Sequence, residues 1–134
     1  MVKQDCNFLS IQPMKSKEIG NFGEGAVCRF LESKGYEIVK RNFTVRGGEI
    51  DIIARKSGVL AFVEVKTRKA ESLTSGESAV TRAKMSHIIK AAGEFIKSLD
   101  SVPECRFDVA VVTAGGNDIS NIKYYKGAFD ASRQ

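Results

Sequence analysis

Hydrophobic and polar positions alternate along this chain in two rhythms, and the switches between them mark its elements. From Lys17 to about Lys34 the apolar residues Phe22, Ala26, Val27, Phe30 and Leu31 recur at three and four, one stripe of a helix, and Lys34-Gly35 supplies the stop. Over Tyr36 to Val45 the period falls to two. Tyr36, Ile38 and Lys40 take one side and Val39 and Phe43 the other, which predicts a strand entering a sheet. Arg46-Gly47-Gly48 is a turn. Two further strands, at about 48–56 and 59–67, are joined by a short Ser-Gly turn and so form an antiparallel hairpin. A Ser, Thr and Gly-rich loop over Lys69 to Gly76 precedes a second helix, predicted from Glu77 to Leu99 because Val80, Met85, Ile88, Ile89, Ala92, Phe95, Ile96 and Leu99 return at helical spacing. Beyond Pro103, the Val-rich run Arg106 to Thr113 reads as a strand buried on both faces, parallel to the preceding strand if the second helix crosses over between them. After a turn at Ala114 to Asp118, Ile119 to Lys126 is a last edge strand. The order helix, three strands, helix, strand, edge strand gives a mixed sheet with helices packed on it, an α/β sandwich.

Composition narrows the class without naming an activity. At 134 residues the chain is one domain by the length prior, and 43% hydrophobic with 28% charged residues is an ordinary globular balance. Met1 to Ser16 has no clear periodicity and contains Pro13, so residues 1–16 are expected to be a loosely ordered leader ahead of a single domain over 17–134. No apolar run approaches the roughly 20 residues of a membrane helix, and the leader lacks a secretory pattern, so a cytosolic address and no membrane partner are expected. Cys6, Cys28 and Cys105 are odd in number and far apart, which argues against a disulfide framework and a zinc site. A single histidine, His87, excludes HExxH metal sites and multi-histidine centres. The net charge of +5 favours polyanionic partners, and Arg68, Lys69, Arg82 and Lys84 follow the third strand closely enough to hold a phosphate backbone.

Two apolar strands carry acids where a core strand should carry none: Gly48-Glu49-Ile50-Asp51-Ile52-Ile53-Ala54 and Ala61-Phe62-Val63-Glu64-Val65-Lys66-Thr67. Burying an unpaired carboxylate is expensive, so the acids need a reason. Residues two apart in a strand share a face, which groups Glu64 with Lys66 and Asp51 with Glu49 and Ile53, and a hairpin lets Asp51, Glu64 and Lys66 converge. Two carboxylates, the carbonyl of Val65 and an ammonium suit Mg²⁺ or Mn²⁺ and the hydrolysis of a phosphodiester. Glu24, on the first helix, is a candidate fourth polar group if that helix packs over the strand ends. The competing readings make Glu64 and Lys66 an exposed neighbour pair, Asp51 a solvated edge residue and Glu24 an ordinary helix acid.

The spaced motifs resemble the YraN family, a bacterial group similar in fold to the PD-(D/E)xK nucleases and archaeal Holliday junction resolvases. The resemblance runs over about residues 17–129, through Gly20-Asn21-Phe22-Gly23-Glu24, Arg41-Asn42, Gly48-Glu49-Ile50-Asp51, Val63-Glu64-Val65-Lys66-Thr67-Arg68, Lys84, Arg106-Phe107-Asp108 and Ala128-Phe129. It implies a restriction-endonuclease-like fold, with Asp51 and Glu64 as the first and second acids, Lys66 as the lysine and Glu24 as the helix-borne acid of resolvases. Lys84 falls where related nucleases place a further polar residue. The loop Leu73-Thr74-Ser75-Gly76 departs from the pattern by lacking an aromatic residue ahead of its glycine. The implied function is metal-dependent endonucleolytic cleavage of structured or branched DNA, in preference to RNA, leaving a 5′-phosphate, with a two-fold dimer by analogy to resolvases. The alternative is a nucleic-acid-binding accessory of repair or recombination that does not cut. A third, a purely structural interaction protein, applies if basic side chains do not gather near the acids.

Overall fold

Five strands pair in chain order into one mixed sheet, with a helix on each face. The elements are α1 (Ser16–Ser33), β1 (Glu37–Val45), β2 (Gly48–Lys56), β3 (Val59–Lys69), α2 (Arg82–Lys97), β4 (Glu104–Gly115) and β5 (Asp118–Phe129). The structure is a computed structural model that describes residues 16–69, 80–115 and 118–130, without the side chains of 16–21, 118 and 120. Every neighbouring pair of strands is antiparallel except β3 and β4, which α2 connects as a crossover. The α/β order expected from the hydrophobic pattern is therefore the observed one. Among the described residues no helix is long and apolar enough to cross a membrane.

Alternation along the central strands explains the two layers. In β3, Leu60 and Phe62 join Ile88, Ala91 and Ala92 of α2 in one buried cluster, while Ala61 and Val63 join Val27, Cys28 and Leu31 of α1 on the other face. β4 repeats the arrangement, with Val109 and Val111 under α2 and Ala110 and Val112 under α1. The β2–β3 hairpin turns at Ser57 and Gly58, both at positive φ (52° and 80°), as a two-residue type I′ turn requires.

Two expectations need correction. The second helix begins at Arg82, capped by the Thr81 side chain, which accepts a hydrogen bond from Lys84 N, and not at Glu77; Val80 is buried in the core but lies ahead of the helix. Residues 77–79 and the loop Leu73–Gly76 lie outside the described residues, as does the leader apart from Ser16, which opens α1. The other concerns the strict alternation expected along β2 around Asp51. Ile50 and Ile53, three apart, both pack under α2 while Ile52 packs under α1, so strict alternation slips beside Asp51.

That slip coincides with a fork in the sheet. β2 and β3 pair from Lys56↔Val59 only as far as Ile52↔Val63, whereas β2 stays with β1 to Val45↔Gly48 and β3 stays with β4 to Lys69↔Ala114. Gly48 lets α2 lie close over the β2 side of the fork. A Cβ there would sit 2.5 Å from the His87 carbonyl oxygen and 3.0 Å from Ala91 N, both helix backbone that cannot rotate away. Gly48→Ala is accordingly expected to cost about 1–3 kcal/mol in urea denaturation, the usual range for overpacking; unchanged stability would mean that α2 does not rest on this strand end.

Candidate functional site

Asp51 and Glu64 are the first residues of β2 and β3 beyond the last paired rung, so the fork opens between them. Val65 N–H donates to Asp51 Oδ2 at 2.8 Å. The carboxylate thus takes the main-chain donor that a continued β2 would have taken, which places Asp51 at the exposed edge of β3 and accounts for the broken alternation. Because the N–H and C=O of one strand residue point to the same side, the Val65 carbonyl lies on that same edge.

Glu64 faces the α2 side of the sheet, only 7% exposed. Its Oε1 is buried without a hydrogen-bond partner among the described residues. Burial first, then the charge of Asp51, pushes its pKa up to about 8, while Lys84 and Lys66 pull it down by less. Asp51 thus lies near enough for its charge to favour the protonated form of Glu64, so the two acids stand next to each other.

Glu24 reaches the pair from α1, and the helix comes near enough because of the residue before it. A Cβ on Gly23 would lie 2.5 Å from Thr67 Oγ1 of β3, so any larger residue would require the Thr67 hydroxyl to turn away. Glu24 Oε1 is also buried without a hydrogen-bond partner among the described residues, with Arg41 Nη2 3.9 Å away. Burial, followed by the Asp51 charge, raises the Glu24 pKa. Asp51 therefore stands between two acids that both feel it. Among the described residues no three His, Cys, Asp or Glu side chains gather tightly enough to hold a metal ion. The share available to a cation at Asp51 and Glu64 is two carboxylates and the Val65 carbonyl, which suits Mg²⁺ or Mn²⁺ retaining several waters.

Of the basic residues singled out in the sequence, Lys84 comes closest to the acids. Its Nζ lies 3.0 Å from Glu49 Oε2 and 3.7 Å from Glu64 Oε2. Burial alone would lower its pKa, but the hydrogen bond to Glu49 and the charges of Glu64, Glu49 and Asp51 outweigh that and raise it. Lys66 is half-buried on the Glu64 side of β3 and acts on Glu64 through its charge. Arg82, at the first turn of α2, and Lys69, at the end of β3, are exposed, and Arg68 is half-buried.

Sequence reasoning attached no role to the second acid–base pair of the sheet. Asp108 is 0% exposed and accepts from Arg106 Nε, Arg106 Nη2, Tyr124 Oη and Gly127 N, while Arg106 Nη2 also donates to Tyr36 Oη at 2.6 Å. The hydrogen bond to Asp108 holds the Arg106 pKa above its usual range, and burial together with Asp108 keeps the Tyr124 hydroxyl protonated. The signal was available in Arg106-Phe107-Asp108, opposite charges two apart within an apolar run. Glu49, grouped in the sequence with Asp51, holds the Lys84 ion pair.

Comparison with known proteins finds a family model described as "Uncharacterised protein family UPF0102" matching residues 23–112, a span that includes Glu24, Asp51, Glu64, Lys66 and Lys84. The chain is 41% identical over 117 residues to the UPF0102 protein STH1475 of Symbiobacterium thermophilum, covering 87% of this chain and 99% of that protein. It is 38% identical over 112 residues to the UPF0102 protein FP2501 of Flavobacterium psychrophilum, covering 84% and 93%. A UPF0102 protein of Myxococcus xanthus is 36% identical over 120 residues, covering 89% and 94%.

Proposed function

This chain belongs to the UPF0102 family, uncharacterised in function, and from the acids at its sheet fork we propose that it is a divalent-metal-dependent phosphodiester hydrolase acting on structured or branched DNA. The observation that carries this reading is Glu64: a buried carboxylate with an orphaned oxygen, set beside Asp51 at the one place where the sheet opens. A buried acceptor left without a donor is costly, and a cation held between the two carboxylates removes that cost.

Asp51, Glu64 and the Val65 carbonyl would hold Mg²⁺ or Mn²⁺, which when bound polarises a phosphoryl oxygen and lowers the pKa of a bound water. Lys66, on the Glu64 side of β3, orients the attacking water or meets the charge that develops on the phosphate. Glu24 flanks Asp51 from α1 and adds a second acceptor for that water. Lys69 and Arg82, exposed at the end of β3 and at the start of α2, would take backbone phosphates, a sequence-independent attraction suited to recognition by shape.

A second reading, an accessory that binds nucleic acid without cutting, is favoured by Lys84, whose ammonium offsets part of the Glu64 charge without a metal. One experiment separates the two. Branched, single-stranded and duplex DNA are incubated with Mg²⁺ or Mn²⁺ and the protein, beside Asp51→Ala and Lys66→Ala. Hydrolysis predicts cleavage that falls about 10²–10³-fold in each variant, as for the loss of a single transition-state stabiliser. Cleavage indifferent to both substitutions would remove these residues from the chemistry, and salt-dependent binding without cleavage under any metal would establish the accessory.

A further inference from the structure

Lys84 occupies a helix position that its own helix does not favour. With Thr81 as N-cap, Lys84 is the third residue of α2, where a glutamate or glutamine commonly completes a capping box. The first turn of α2 has no acidic residue, and Arg82 and Lys84 put two cations at the positive end of the helix dipole. What holds Lys84 therefore lies outside the helix. Its Nζ is 3.0 Å from Glu49 Oε2 and 3.7 Å from Glu64 Oε2, so one ammonium bridges an exposed acid and a buried one. The bridge is unequal: the Glu49 contact is a hydrogen bond, and the Glu64 contact is an ion pair beyond hydrogen-bond reach. Glu64 retains an unpartnered oxygen even with the lysine in place.

We propose that Lys84 is a resident counter-cation of the acid pocket, compensating the Glu64 carboxylate when it is ionised with no divalent ion bound, and withdrawing onto Glu49 when one binds. The inference rests on the metal reading above and extends it to residues outside the ligand set. A divalent ion at Asp51 and Glu64 would face an ammonium competing for the same Glu64 carboxylate, and two cations so close repel. Glu49, on β2 two residues before Asp51 and more than half exposed, offers the lysine a partner outside the pocket. The handover needs no backbone motion, because the hydrogen bond to Glu49 already exists. Lys84 and Glu49 are thus positioning residues that set how readily the pocket accepts a metal.

The test is Mn²⁺ affinity by isothermal titration at pH 8.5, without nucleic acid, for the wild type, Lys84→Met, Glu49→Gln and the double variant. Removing the competing ammonium is expected to tighten Mn²⁺ binding at least about fivefold, the lower limit for unit charges roughly 4 Å apart screened as in bulk water. Glu49→Gln alone, which deprives the lysine of its outer partner, is expected to weaken binding, and the same substitution in the Lys84→Met background to change it little. Should Lys84→Met fail to fold, Lys84→Gln keeps a neutral donor for Glu49 and is expected to shift binding in the same direction. Unchanged or weaker binding on loss of the lysine overturns the counter-cation role. Equal weakening by Glu49→Gln in both backgrounds overturns the handover. Absence of Mn²⁺ binding in every form overturns the metal reading itself.

Discussion

Replacing Asp108 by asparagine is expected to destabilise the protein by about 3–5 kcal/mol, the usual consequence of removing one partner from a buried ion pair. Arg106 Nε and Gly127 N donate to Oδ1 at 2.8 and 2.9 Å, and Arg106 Nη2 and Tyr124 Oη donate to Oδ2 at 2.8 and 2.5 Å. An amide of the same shape can present an oxygen to only one of these pairs of donors, and its NH₂ group then faces the other pair. The guanidinium, tied also to Tyr36, loses its counter-charge in the same step. Urea denaturation should show a lower midpoint at unchanged slope, and against a total stability of about 5–15 kcal/mol the variant approaches unfolding. Tyr124→Phe, which deletes one donor and leaves the charge pair, is expected to cost about 1.5–3 kcal/mol, as for a hydrogen bond to a charged group. The loss should also reach the acids indirectly, since Asp108 pairs with Val63, the residue before Glu64, and helps hold β4 against β5 and Tyr36. A loss under about 1 kcal/mol in Asp108→Asn would mean that the four bonds form without constraining the sheet.

Glu64 with Lys66 and Arg106 with Asp108 are both opposite-charge pairs spaced two apart in apolar strands, and spacing alone cannot say which is structural. The difference lies in how well the carboxylate is satisfied. Asp108 has four donors at hydrogen-bonding distance and leaves nothing for a ligand, whereas Glu64 keeps a buried oxygen with none among the described residues. That distinction depends on Tyr124 and Gly127 of the next strand and on where the β2–β3 ladder stops, and neither can be read from hydrophobic periodicity. Periodicity did give the strand order and the parallel step through α2, because α1, β3 and β4 each bury faces with a clear period. It misplaced the start of α2, because Val80 continues the apolar stripe although Thr81 caps the helix after it. It also missed the break in alternation beside Asp51, because alternation presumes a continuous strand and β2 parts from β3 at that residue. The approach of Glu24 was legible only as Gly23 followed by an acid, a pattern whose meaning depends on Thr67 across the interface.

Glu64→Gln should move stability and metal response in opposite directions. With its pKa raised to about 8 from an ordinary 4.5, the folded protein holds a proton on Glu64 that the unfolded chain has already released. Stability from this group is fully present below about 4.5 and is lost as pH rises through about 8, because in that window the native state binds more protons than the unfolded one. In EDTA the wild type should therefore lose up to a few kcal/mol between pH 5 and pH 9 through this residue. Glutamine, neutral throughout and similar in shape, removes that slope, so the variant should be the more stable form at pH 9 and nearly equal at pH 5. Mn²⁺ reverses the ranking. A cation that needs the ionised carboxylate displaces the Glu64 proton, so the wild-type melting temperature should rise with Mn²⁺ and rise more at pH 8.5 than at pH 6. The glutamine variant, short of one ligand charge, should show little of that shift at either pH. A site kept for packing predicts another pattern, with Glu64→Gln stabilising at alkaline pH and Mn²⁺ without effect on either protein. Thermal melts at two pH values, with and without the ion, separate a pocket held open for a cation from one that merely tolerates a buried acid.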